Sequence, residues 1–274
     1  LAQIVKHNLM LLGINNVEVI CSTAEEFLDK WCGEMPDLIY LDPDRRDDLG
    51  RKVVVFEDCS PNITEVINDY FKISKRVLIK GSPMLDISAI IRELPYVKEI
   101  AVVALNNECK EILTYLEYGY QGEVIICADN IITKREERVS SFSSTIDKES
   151  AAVVKFADKI EGYLHIPNRA ILKAGFFKTV SDYFSLLKIA KSSHIYTSDI
   201  IPENFPGRTL KVIEVIDFNK KGIKEVSQKY PKANIATYNF PIPAQELSKR
   251  LKIEDGGNIF IIASTLNDHS KVLI

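Results

Sequence analysis

Residues 37–46 read DLIYLDPDRR, and the fold is decided there. Leu38, Ile39, Tyr40 and Leu41 form a short apolar run closed by a carboxylate and a proline. A strand buried on both faces of a parallel sheet reads this way. Asp42 and Pro43 then fall at the strand's carboxyl end, where open α/β sheets gather their ligands. Pro43 stiffens the exit and has no N–H with which to continue a ladder. A strand followed by a solvated turn is the plainer reading of the same ten residues.

Upstream, Leu1, Ile4, Val5, Leu9 and Leu12 recur at helical spacing, with Gly13 as the stop. An apolar strand is expected over residues 17–21. Ser22 or Thr23 can cap a following helix, because Glu25 and Glu26 sit in its first turn, where the helix dipole favours acids. Downstream come a charged loop over 47–52 and a short apolar run over 53–56. Pro61 opens a helix carrying Ile63, Val66, Ile67, Tyr70 and Phe71. The buried-type strand RVLIK (76–80) ends in Gly81-Ser82-Pro83, and Asp86 begins a helix through Leu94. Runs 99–105 and 108–117 are joined only by Asn106-Asn107, so they must pair antiparallel; a parallel crossover needs about a dozen residues.

Gly119 to Gly122 marks a break. Beyond it the pattern gives a strand over 123–127, a polar segment to Ser150, a strand over 162–166 and a helical stretch through Leu172, Phe176, Val180 and Phe184. A further strand is expected over 194–197. Phe205-Pro206-Gly207 is a second break, and the tail then reads strand 210–216, helix 220–230, strand 234–238, helix 244–251, strand 258–264 and strand 271–274. Three units follow from these breaks: 1–118, 119–205 and 206–274.

The chain has 274 residues, 46% hydrophobic and 27% charged, the balance of an ordinary globular protein. No apolar run approaches the ~20 residues of a membrane helix. Five scattered cysteines without a CxxC pair argue against a disulfide framework or metal knuckle and fit a reducing cytoplasm. His7, His165, His194 and His269 lie too far apart for a metal-ligand motif, so no metal is expected. The net charge of −3 by itself argues against a strong nucleic-acid binder. Residues 206–274, however, hold 11 Lys/Arg against 7 Asp/Glu, which marks a mildly basic tail. The first residue is Leu1, with no signal-like segment ahead of it, and the chain is expected to be part of a longer protein. Neither a GxSxG elbow nor a GxxxxGK[ST] phosphate loop is present.

Four stretches carry a resemblance: YLDPDRRD (40–47), IKGSPMLDI (79–87), IPNRAILKAGFFK (166–178) and HIYTSDIIPENFPGR (194–208). The chain resembles a bacterial family related to class I S-adenosylmethionine-dependent methyltransferases, whose members carry a ferredoxin-like and then a THUMP-like domain. The resemblance implies an α/β fold: residues 1–118 as the carboxyl-terminal part of a Rossmann-like methyltransferase sheet ending in an antiparallel hairpin, 119–205 as the ferredoxin-like α+β domain and 206–274 as the THUMP-like domain. It further implies a methyltransferase acting on RNA, tRNA or rRNA, or a non-catalytic RNA-binding module descended from one. A small-molecule methyltransferase would leave the tail domain unexplained.

Site expectations follow from the same resemblance. Asp42 would position the methyl acceptor and Pro43 would present its carbonyl. Asp44, Arg45, Arg46, Lys80, Ser82 and Pro83 would contact substrate, and Thr23, Ala24 and Glu25 the adenine of S-adenosylmethionine. Asn168, Arg169, Lys173 and Lys178, with Arg208, Lys220, Lys221, Lys224, Lys249 and Arg250, are candidates for RNA or interdomain contact. Bland roles stand beside these: a turn aspartate, surface ion pairs, a helix cap at Thr23 and wet lysine faces. Two departures weigh on the resemblance. The strands with the family's glycine-rich cofactor loop and ribose-binding acid would lie upstream of Leu1 in sequence and, in the family's order of strands across the sheet, between the 17–21 strand and the central one. In the motif, Asp44 and Arg45 stand where a second proline and an aromatic are common; Arg can stack on a base or fork onto a phosphate.

Overall fold

The computed structural model describes residues 1–44, 56–59, 61–133 and 137–274. The charged loop over 47–52, the apolar run over 53–55, Arg45 and Arg46 lie outside the described residues. Two helices lead in, α1 (Ala2–Leu11) and α2 (Ala24–Lys30). The first sheet then collects β1 (Ile39–Leu41), β2 (Arg76–Gly81), β3 (Val97–Leu105), β4 (Glu108–Glu117), β5 (Ile125–Ile132) and β6 (Arg138–Ser144), in the spatial order β1-β2-β4-β3-β5-β6. Helices α3 (Ile63–Ile73) and α4 (Ile87–Glu93) flank it, capped at their starts by Asn62 and Asp86. Each cap side chain accepts an otherwise orphaned backbone N–H.

Pairing β1 with β2 is parallel, Leu41 opposite Ile79. The hairpin β3–β4 is antiparallel, as its two-residue turn required, and Asn106 and Asn107 both take positive φ (50° and 68°). Strand β4 lies between β3 and β2. Ile79, Ile100, Ile112 and Leu116 are fully covered at the centre of this sheet, each of a size that contributes about 1.5–3 kcal/mol on burial.

Several expectations need correction. The run 38–41 was expected to be buried on both faces. Among the described residues it is a three-residue edge strand whose one ladder is to β2, and Tyr40 is 53% exposed. Residues 17–21 form no strand: they carry no regular secondary structure, with Val17 and Ile20 exposed, and a strand exists only where a neighbour completes its hydrogen bonds. The apolar side chains of α1 bury none of its residues among the described ones. Finally, the strand after the Gly119–Gly122 break does not open a new sheet. β5 pairs parallel to β3 and β6 antiparallel to β5, so the first sheet runs on to Ser144. Ile126 and Ala128, on the core face of β5, pack with the residues of the preceding unit.

A short helix, α5 (Ile146–Ala151), leads to a second sheet. It holds β7 (Tyr163–Pro167), β8 (Leu187–Ala190), β9 (Ser193–Ser198) and β10 (Gly207–Lys211) in the order β10-β7-β9-β8. The single helical stretch expected between β7 and β8 is two helices, α6 (Arg169–Ala174) and α7 (Lys178–Tyr183). Gly175 breaks them apart at φ 79°, a left-handed C-cap.

The third sheet, β11-β14-β13-β12, is built from β11 (Ile216–Asp217), β12 (Asn234–Tyr238), β13 (Phe260–Thr265) and β14 (Lys271–Leu273). Helices α8 (Lys220–Lys229) and α9 (Ala244–Leu251) cover it, with Val226, Leu247 and Leu251 buried. The strand expected over 210–216 is divided between sheets: 207–211 pairs with β7 and 216–217 with β14. Ile160, Leu164, Ile189 and Ile195 meet Ile262 and Val272 in a shared apolar layer between the second and third sheets.

Candidate functional site

Parallel register places the ends of β1 and β2 side by side, so Asp42 emerges beside Lys80. The Asp42 carboxylate is ion-paired with the Lys80 ammonium. Lys80 is mostly covered, its side chain 22% exposed, while Asp42 is 44% exposed. A half-open carboxylate held by one cation keeps lone pairs for an incoming N–H or O–H donor. Pro43 is buried behind it and Asp44 is exposed.

The turn after β2 is fixed by packing. A Cβ on Gly81 would stand 2.3 Å from Leu85 Cδ1 and 3.2 Å from Phe56, so only glycine leaves both in place. The Ser82 hydroxyl accepts from the Met84 N–H at 3.2 Å, and its carbonyl from the Leu85 N–H at 3.1 Å. Ser82 and Pro83 are both half-buried. Asp42 and Lys80 thus meet, with Pro43, Ser82 and Pro83 at the same two strand ends.

Thr23, Ala24 and Glu25 turn to other work. The Thr23 hydroxyl accepts from the Glu26 N–H at 3.2 Å and caps α2. Ala24 and Glu25 line a hollow of about 160 Å³ against Val66, Asp69 and Tyr70 of α3. Burial, with the Glu25 charge beside it, pushes the Tyr70 hydroxyl above its usual range.

The same rim of the sheet continues past Asp42. Because β1, β2, β3 and β5 all run one way, their carboxyl ends share an edge with the β3–β4 turn and the start of β6. There the first sheet meets α6. Asn130 Oδ1 accepts from the Asn107 N–H at 2.8 Å, and Asn107 Oδ1 accepts from the Arg169 N–H at 2.7 Å. Lys173 donates to the Leu85 carbonyl at 2.7 Å, tying α6 to the turn after β2. Lys178 donates to the Ser150 carbonyl at 2.7 Å. Lys173 therefore makes a contact between units, while Lys178 ties α7 to α5 within one. In the tail, Arg208 lies over the Phe260 ring at 4.8 Å and Arg250 over Phe218 at 5.0 Å, while Lys220, Lys221, Lys224 and Lys249 are exposed.

Between the first, second and third sheets opens a cleft of about 880 Å³, lined by Arg138, Arg169, Arg208, Asn168 and Tyr238 among others. Sequence reasoning named Asn168, Arg169 and Arg208 singly and missed Arg138, Asn130 and Tyr238. Nothing in their spacing signals that they converge, since they come from separate strands and turns of three sheets.

Among the described residues, no three His, Cys, Asp or Glu side chains cluster as a metal site would require. None of the described helices is long and apolar enough to cross a membrane.

Residues 163–206 match the model of a ferredoxin-like domain family, and residues 207–274 that of a THUMP domain-like family. No curated protein matches the chain. A solved structure from Porphyromonas gingivalis W83, described as a "putative methyltransferase", is similar over 99% of this chain, with 33% identity and a TM-score of 0.89. The match covers 67% of that protein, so this chain spans about two thirds of its length. With the parallel strand ends, the hairpin and both carboxyl-terminal domains in common order, the chain belongs to this methyltransferase-related family with ferredoxin-like and THUMP-like domains.

Proposed function

We propose that this chain is the carboxyl-terminal portion of an S-adenosylmethionine-dependent methyltransferase that acts on RNA. The observation that carries the reading is the meeting of Asp42 and Lys80 at the carboxyl ends of adjacent parallel strands. Ligands of open α/β sheets collect at such ends. Methyl transfer asks chiefly for in-line positioning of the acceptor, which a fixed carboxylate and a shaped crevice can supply. In this reading Asp42 accepts a hydrogen bond from the acceptor group, Pro43 fixes the exit of the strand, and Lys80 holds the carboxylate in place. Asp44, Arg45, Arg46, Ser82 and Pro83 would flank the substrate. The THUMP domain-like unit supports RNA as the substrate class.

S-adenosylmethionine would supply the methyl group. The residues expected to hold its adenine do not make a pocket by themselves. The Thr23 hydroxyl is spent on the α2 cap, and the hollow beside Ala24 and Glu25, about 160 Å³, falls below the ~300 Å³ at which ligand pockets begin. No step of the chemistry is therefore assigned to contacts between the cofactor and these three residues.

A second reading, a non-catalytic RNA-binding or assembly module, is favoured by the same small hollow and by Asp44 and Arg45 in the motif. Calorimetric titration of S-adenosylhomocysteine into the full-length gene product and into this chain separates the two. Binding to the full-length product, with methyl transfer to RNA that falls roughly 100-fold in Asp42→Asn, upholds the enzyme. Silence from both proteins removes the cofactor and leaves the binding module.

A further inference from the structure

The cleft between the three sheets has a charge unlike that of the chain as a whole. The protein carries a net −3, yet among the described residues three arginines and no aspartate or glutamate line this space. Among the described residues, Arg138, Arg169 and Arg208 form no ion pair. All three are exposed, so their guanidinium forks are open to a ligand. Two of them also converge. Arg169 and Arg208 both pull down on the Tyr238 hydroxyl, which burial pushes up, so both charges act at one point of the wall.

A second observation points to a ligand independently of charge. Asn168 lines the cleft and is 5% exposed. Its Oδ1 is used, accepting from the Ile171 N–H at 3.0 Å, but among the described residues its Nδ2 has no hydrogen-bond partner. A buried amide donor left without a partner is costly, and native proteins rarely keep one without a use. The wall also presents aromatic faces: Phe260 lies under Arg208, and Phe205 lines the same space. Guanidinium forks, an amide donor and aromatic faces together suit phosphate oxygens and base edges. At about 880 Å³ the space is of the size that holds a small ligand or a short stretch of a chain.

Position adds to this. The cleft opens on the rim that carries Asp42, and β1 is separated from β3 by three strand steps, β1-β2-β4-β3. At ~4.8 Å per step that is about 15 Å, within reach of one extended nucleic-acid strand.

We propose that the three-sheet cleft is a nucleotide-binding site that grips the phosphates of a single-stranded RNA segment through Arg138, Arg169 and Arg208 and a polar ligand edge through Asn168. It anchors the strand a few nucleotides from Asp42. The polymer's identity rests on the RNA reading above; the site itself rests on the cleft.

The test uses this chain with a short fluorescein-labelled single-stranded RNA, read by anisotropy over a salt series, beside Arg169→Gln/Arg208→Gln, Arg138→Gln and the control Lys155→Gln/Lys159→Gln. The control removes two charges from exposed residues that do not line the cleft. Circular dichroism checks that each variant is folded. The double cleft variant is expected to bind at least tenfold more weakly, with the slope of log affinity against log salt reduced by about 1.4 for two lost phosphate contacts. Arg138→Gln should lower the slope by about 0.7, and the control should stay within twofold of the parent. RNA bound equally well by parent and cleft variants overturns the site while leaving RNA binding intact; equal loss in the control reduces it to bulk charge. No RNA bound by any form overturns the site and the RNA reading together, unless AMP binds with the same arginine dependence. In that case the site stands with a free nucleotide as its source. Competition by polyglutamate as effective as by RNA overturns the proposal in favour of an acidic protein partner.

Discussion

Acidification should weaken this protein through one buried ring. His165 on β7 is fully covered. Its Nε2 lies 2.8 Å from Ser198 Oγ and its Nδ1 3.0 Å from Thr209 Oγ1. The Ser198 hydroxyl already donates to the Ile200 carbonyl at 2.6 Å, so it accepts from His165, and the ring carries its proton on Nε2. Nδ1 is then left to accept from Thr209. A second proton would place a charge on a fully buried ring, and burial lowers the His165 pKa from 6.5 to about 4. The folded state thus favours neutral histidine, while the unfolded chain takes up a proton near pH 6.5. Its contribution is complete above that value and is lost as the pH falls from 6.5 towards 4. At pH 5 the loss relative to pH 8 is about 2 kcal/mol at 1.36 kcal/mol per unit. Urea unfolding at both pH values, for the parent and His165→Gln, isolates the effect, because the other titrating groups are common to both. The parent should lose about 2 kcal/mol more than the variant. Equal losses, or a His165 ring resonance titrating near pH 6.5, would refute the reasoning.

Three other outcomes follow from local contacts. The Glu149 carboxylate accepts from the backbone N–H groups of Phe177, Lys178 and Thr179 and from the Thr179 hydroxyl, at 2.7–3.0 Å, and so caps α7 from a distance. Glu149→Ala should cost about 2–3 kcal/mol in urea unfolding, since these donors lose a charged acceptor. Tyr196 donates to the Phe177 carbonyl at 2.8 Å from a fully buried position, and Tyr196→Phe should cost about 1 kcal/mol, seen as a lowered thermal midpoint. A Cβ at Gly207 would stand 2.2 Å from the Ile166 carbonyl oxygen, so Gly207→Ala should destabilise the β7–β10 pairing by about 1–3 kcal/mol; hydrogen exchange at Ile166 and Arg208 would report it.

What could be read from the sequence was local. RVLIK gave a strand because its apolar run is short and β-branched, and it forms β2. Asn106-Asn107 gave a hairpin because the turn was too short for anything else. Asp42 and Lys80 could be placed at strand ends and do meet. Partnership across the chain was not legible. Nothing in residues 38–41 says that β1 has a neighbour on one side, and a residue's own sequence does not report whether a strand exists to cover it. The run 123–127 looks like the opening of a new unit because a glycine break precedes it. β5 nevertheless pairs parallel with β3. Residues 210–216 look like one strand because alternation does not record which sheet supplies the partner. The cleft was invisible for the same reason: Arg138, Arg169 and Arg208 become neighbours only after three sheets have formed.

The division of residues 207–217 between two sheets has a consequence for how the protein can be cut. The family boundary falls between residues 206 and 207, yet β10 on its far side completes the sheet on its near side. Separating the chain at that boundary would strip β7 of one neighbour and expose a row of unmatched amides, an invitation to pair with other molecules. A soluble fragment of the second sheet has to carry residues beyond Lys211, and a fragment of the third gains from starting after it. A recombination joint placed between residues 206 and 207 would meet the same constraint, since β10 would have to match a β7 it did not come with.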